Sequence, residues 1–205
     1  WWLYEVWGDD FSNDMRNSKY NVVRDAYYDL PTSKYYGKSI IALETKSKLL
    51  EEQSWRWYPW PTKITTPGEH PEALYADPAL KTLKSTAGAT YLDQYMLRLA
   101  ETYLLRAEAF LMKGDKEKAA NDINEVRNRA HTSEVVASEV TIDYILDERA
   151  RELVYEEFRR ITLGRLGKYV ERVRKYNTLN GPRVEDYHEL FPIPYSAIEA
   201  NKDAV

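Results

Sequence analysis

Cysteine is absent from all 205 residues. Disulfides, thiolate metal sites and cysteine nucleophiles are therefore excluded. Histidine is scarce: His70, His131 and His188 stand far apart and lack HExxH spacing, which argues against a metal site of the zinc type. No G-x-S-x-G string occurs, so a nucleophile elbow is absent. No run of about 18 apolar residues exists, and no segment reads as a membrane-spanning helix. Neither sign of charge dominates. The 29 Lys+Arg and 33 Asp+Glu leave a net charge of -4, which does not fit a general nucleic-acid binder. Gly37-Lys38-Ser39 imitates the end of a phosphate-binding loop, but Thr32 stands where that loop needs glycine. No apolar strand precedes it. EF-hand spacing is missing, and Asp9, Asp10 and Asp14 offer only a loose grouping for Ca²⁺. The start, Trp1-Trp2-Leu3, has neither an initiator Met nor a basic leader, so a trimmed piece is expected.

What remains is a chain of 43% hydrophobic residues, long enough to bury a real core. Its character shifts near residue 90. All six Trp and most of the Pro precede that point. Pro31, Gly37, Pro59, Pro61, Pro67, Gly68, Pro71 and Pro78 break residues 1–90 into short pieces, which predicts turns and irregular loops. Ser39 to Leu43 is expected as a short strand and Leu74 to Leu83 as a short helix. Residues 91–205 form the second, helical region.

Residues 91–176 read as helix. Leu92, Met96, Leu99, Tyr103, Ala107 and Phe110 recur at three- and four-residue spacing. Gly114 sits where a glycine ends a helix, and Asp115 can cap the next one. Ala119, Ile123, Val126 and Ala130 share a face of that second helix. Small residues (Ala100, Ala107, Ala119, Ala120) let the two axes approach, giving an αα-hairpin of tetratricopeptide size. A third helix is expected from Thr141 to at least Phe158, burying Ile142, Leu146, Leu153 and Val154. Gly164 and Gly167 place a break beyond it. Phe191-Pro192-Ile193-Pro194 is extended by its prolines, and Ser196 can cap a last short turn through Asn201. The fold class is thus mainly α, packed with an irregular Trp/Pro-rich region.

Three segments now stand in order. Arg98-Leu-Ala-Glu101-Thr-Tyr103-Leu-Leu-Arg-Ala107-Glu108-Ala109 is followed by Gly114, Ala119, Asn124, Arg127 and Arg129-Ala130. Ile145-Leu146-Asp-Glu148-Arg149-Ala-Arg-Glu152-Leu153 is followed by Glu156 and Arg159. Phe191-Pro192-Ile193-Pro194 is followed by Asn201. Together they resemble the C-terminal half of the SusD/RagB family of glycan-binding outer-membrane lipoproteins. The resemblance covers roughly residues 90–201, and residues 1–90 match that family's variable middle region only loosely. Glu157-Phe158 departs from the Glu-Gly often found there. The resemblance implies a non-catalytic nutrient binder at the cell surface of Bacteroidetes-type bacteria. Such a protein passes oligosaccharide, or in some members peptide, to a SusC-type TonB-dependent transporter. No cofactor is implied. Membrane contact would come only through a lipid anchor upstream. The alternative reading is a helical-repeat module whose ligand is a protein.

Two groups of residues are candidates for function. Trp55, Trp57, Tyr58 and Trp60 lie among Pro59 and Pro61. Sugars present C–H faces to aromatic rings, and rings lose little side-chain entropy on binding. This cluster is the expected ligand face, against the alternative that its rings plug the core. Tyr27, Tyr28, Tyr35 and Tyr36 could extend it, whereas Trp1, Trp2 and Trp7 are better placed to pack. The second group is Arg98, Glu101, Glu108, Arg127, Arg149, Glu152, Glu156 and Arg159. Glu152 and Glu156, one turn apart, suggest a glycosidase acid pair. Arginines within a turn favour their charged forms, the wrong direction for a general acid. The group is therefore read as a structural ion-pair network.

Overall fold

The structure is a computed structural model that describes residues 1–28, 30–42, 59–63, 70–79, 82–87, 93 and 95–201. It is mainly helical, as expected. The chain divides into two compact units, Trp2–Glu156 and a smaller one of Trp1 with Glu157–Val205. Among the described residues, no helix is long and apolar enough to cross a membrane.

The larger unit is built on a helical hairpin, α1 (Leu99–Met112) and α2 (Lys116–Arg129). Gly114 takes φ +81° and turns the chain between them. Asp115 N–H donates to Phe110 O and Gly114 N–H to Leu111 O, both at 2.9 Å. This pair of bonds is a Schellman ending, which only a left-handed residue permits. The Asp115 side chain then accepts from Lys118 N–H at 3.1 Å and starts α2. A methyl group at Gly114 would meet nothing within 4 Å, so strain there is purely backbone. Gly114→Ala is expected to cost about 1–2 kcal/mol, read as a thermal midpoint lowered by a few degrees. An unchanged midpoint would contradict this ending.

α3 (Ile142–Glu152) packs on the hairpin, with the Thr141 side chain capping it from Tyr144 N–H. The core joins Leu104, Ala107, Ala119, Ala120, Ile123, Val126, Val135, Val140, Ile145 and Leu153. The expected stripe of α1 holds at Ala107, which is in the core, and at Tyr103 and Phe110, which pack against it, but fails at its N-terminal members. Met96 is 95% exposed and Leu99 69% exposed, whereas Leu104 is fully buried. Arg98 is extended (φ −124°, ψ 153°), so the helix begins at Leu99 and residues before it miss the core face. Leu92 lies outside the described residues. The third helix also ends early. Tyr155 adopts φ 64°, a left-handed conformation that no helix continues through, so the expected run to Phe158 stops at Glu152. Ile145 takes a fully buried place, while Ile142 and Val154 are only partly buried.

Short strands complete this unit. β1 (Val22–Val23) pairs antiparallel with β2 (Trp60–Pro61). β3 (Tyr75–Asp77) pairs with β4 (Thr82–Leu83) across an irregular register. This hairpin, preceded by a 3₁₀ turn at Glu72–Leu74, replaces the helix expected over Leu74–Leu83. Asp77 Oδ1 accepts from Ala79 N–H at 2.9 Å, and Pro78 fixes the turn, so local chemistry closes a bend where a helix needs continuity. Of the expected strand at Ser39, a single bridge to Tyr27 is seen, and Leu43 lies outside the described residues.

The smaller unit holds α4 (Arg159–Arg165), α5 (Tyr169–Tyr176) and α6 (Tyr195–Ala200). Gly167, at φ 62°, makes the expected break. Glu189 accepts from Tyr169 and Val170 N–H groups at 3.0 and 2.9 Å, capping α5 from a distance in sequence. The Arg160 guanidinium lies 3.5 Å from the Tyr169 ring centre and 4.6 Å from that of Phe191. Residues 191–194 have no regular secondary structure, and α6 begins at Tyr195 after Pro194, with no side-chain cap and with Ser196 inside the helix.

Candidate functional site

Glu148 is the centre of the charge network. Its side chain is fully buried on α3. Arg16 Nη1 donates to it at 2.8 Å, Arg127 Nη1 at 2.9 Å and Arg151 Nη2 at 2.7 Å. Burial alone pushes this carboxyl up. The guanidiniums of Arg151, Arg16 and Arg127 outweigh it and hold the group at about 2. One helical turn on, Glu152 is 1% exposed and meets Arg16 at 3.0 Å, Arg98 at 2.9 Å and Arg129 at 2.5 Å. Glu156 meets Arg98 at 2.7 Å and Lys63 at 3.1 Å. The network reaches outward through Arg127–Asp10 at 2.6 Å, Arg16–Asp14 at 2.7 Å and Arg149–Glu101 at 3.2 Å. Glu108 is buried on α1. Arg159 lies in the other unit and pairs with Glu157 at 3.4 Å.

The arrangement is a set of mutually paired charges, in which Glu148, Glu152 and Glu156 each accept from guanidiniums. Asp10, Arg16, Lys63 and Arg129 join through long-range contacts that sequence spacing does not reveal, and Asp14 and Arg151 join locally, through Arg16 and Glu148. Asp10 also accepts from Ser133 Oγ at 2.9 Å, and Asp14 caps Arg16 N–H. Those two carboxylates are thus committed to the frame, and among the described residues no acidic or histidine cluster could hold a metal ion.

The aromatic side chains divide by burial. Trp7 is 3% exposed and stands edge-on to Trp2, with ring centres 5.4 Å apart. Trp2 Nε1 donates to Ala150 O at 2.6 Å, which pins this pair to α3. Trp1, in the smaller unit, lies 4.2 Å from Tyr176. Trp55, Trp57 and Tyr58 fall outside the described residues. Trp60 is placed: it sits on β2 opposite Val23, and it is 42% exposed. The strand is fixed just beyond it. Thr62 N–H donates to Asn21 O at 3.0 Å and Thr62 Oγ1 to Tyr20 O at 2.8 Å. Tyr20 is itself 76% exposed, as are Tyr27 at 63% and Tyr36 at 58%. Lys63 Nζ then donates to Glu152 O and pairs with Glu156. The one ring of the expected ligand face that is described is therefore exposed, on a strand tied to the charge network.

The fold and these residues define a class: a mainly helical frame, braced from within by arginine–carboxylate pairs. The chain belongs to the SusD family, whose family model matches residues 9–205. It is 39% identical over 128 residues, 58% of this chain, to the starch-binding protein SusD of Bacteroides thetaiotaomicron. The chain spans 22% of that relative's length.

Proposed function

We propose that this chain is part of a cell-surface, non-catalytic glycan-binding protein. It captures neutral oligosaccharide by ring stacking and passes it to a SusC-type transporter in the outer membrane. The observation that carries the reading is Trp60, a large apolar ring left 42% exposed beside prolines in a member of the SusD family. The starch binding of the relative from Bacteroides thetaiotaomicron favours an α-glucan as the ligand. Pro59 and Pro61 restrict the backbone on both sides of the ring, so little entropy remains to be lost on binding. Trp55, Trp57 and Tyr58 would extend the platform. Glu152 and Glu156 are each held by arginine, which supports a binding role over a hydrolytic acid pair.

Calorimetry of the chain against starch-type, β-linked and uronic-acid oligosaccharides tests this, with reducing ends counted afterwards. Binding of the starch-type ligand with no new reducing ends is expected. Failure of every ligand to bind, or release of new ends, would overturn the reading.

A further inference from the structure

Lys63 occupies an unusual position. It is three residues beyond Trp60, yet its ammonium reaches across to α3 and the turn that follows it. There it donates to the Glu152 carbonyl and lies 3.1 Å from Glu156 Oε1. Arg98 grips the same two residues, at 2.9 Å from Glu152 and 2.7 Å from Glu156. The strand carrying Trp60 is short, with pairs to Val23 and Val22 only, plus the two bonds of Thr62. A two-residue strand pair is marginal by itself. A charged anchor at its end, bonded to a carbonyl and a carboxylate, is the strongest single tie this segment shows.

We propose that Lys63 is a positioning residue, which sets the orientation of Trp60 by locking its strand onto the charge network. This rests on the glycan-binding reading for its function, though the mechanical claim stands apart from it. Burial lowers the basicity of the Lys63 amine, the Glu156 and Glu152 carboxylates oppose that shift, and Arg98 adds to it. The amine therefore loses its proton before an exposed lysine would. The clasp weakens as pH climbs towards the ordinary lysine value of about 10.4. An arginine in its place stays charged throughout.

The experiment uses the whole chain with Lys63→Met, Lys63→Arg and Trp60→Ala, and maltoheptaose as the probe. The Trp60 indole N–H resonance, identified by its loss in Trp60→Ala, is followed without ligand. Lys63→Met is expected to move that resonance, leave the other five tryptophans in place, and weaken maltoheptaose by about tenfold. Lys63→Arg restores both and flattens the alkaline fall in affinity. A Trp60 resonance unmoved in Lys63→Met, or movement of all six, would overturn the proposal. The resonance decides it even if no glycan binds. In that case, or where Trp60→Ala binds as the parent does, it is the glycan reading that fails.

Discussion

Glu148→Gln is expected to lower stability by about 3–5 kcal/mol, a fall in thermal midpoint on the order of 10 °C. The carboxylate is fully buried and accepts from Arg16, Arg127 and Arg151. Glutamine keeps the shape and removes the charge. Arg16 retains Asp14 and Glu152, and Arg127 retains Asp10. Arg151 keeps the Val6 carbonyl and the face of the Tyr144 ring, but is left as a buried cation without its carboxylate. That asymmetry makes removal of the single acid far costlier than removal of a surface partner. The same geometry sets an acid limit. Because the folded Glu148 carboxyl is held at about 2, below its ordinary 4.5, its contribution is present above the unfolded value. It is lost as pH falls from about 4.5 towards 2. Urea unfolding at several acidic pH values should show that slope in the parent and a shallower one in Glu148→Gln. Equal slopes would contradict the assignment.

Trp60→Ala is expected to weaken α-glucan binding by roughly thirtyfold, the loss of about 2 kcal/mol typical of a central tryptophan. Stability should barely change, because the indole is 42% exposed and its strand is held by Thr62 and Lys63 rather than by the ring. The contrast with Trp7 is useful. Trp7 is 3% exposed, so its truncation opens a cavity and lowers the thermal midpoint without a direct effect on ligand. Calorimetry and thermal unfolding of the two variants separate capture from packing. An affinity for Trp60→Ala equal to that of the parent would remove this ring from the site.

The hairpin was legible because its signals are local. Gly114 closes the few residues before it and Asp115 opens the few after it, and both do in the structure what their chemistry dictates. The start of α1 was less so: Ala107 takes its expected place in the core with Tyr103 and Phe110 against it, but Met96 and Leu99 are exposed, and Leu104, outside the expected stripe, is buried with Ile123 and Ile145. The end of α3 was missed because Tyr155 in a left-handed conformation leaves no mark in composition. The charge network was half legible. Sequence spacing pointed to the acids and arginines of the helices. Arg16 stands 132 positions before Glu148 in an apparently irregular segment, and nothing short of the fold brings them together. Lys63 is the same case. The ligand face was legible as composition only: a tryptophan-rich, proline-flanked string declares an aromatic cluster, but exposure separates Trp60 from Trp7, and exposure is a property of packing.

An intermolecular nuclear Overhauser experiment between maltoheptaose and the intact chain tests the central claim most directly. The account predicts contacts from sugar ring C–H protons to the Trp60 indole, with the Glu152 and Glu156 side chains silent. Contacts to those carboxylates, with the indole untouched, would contradict it.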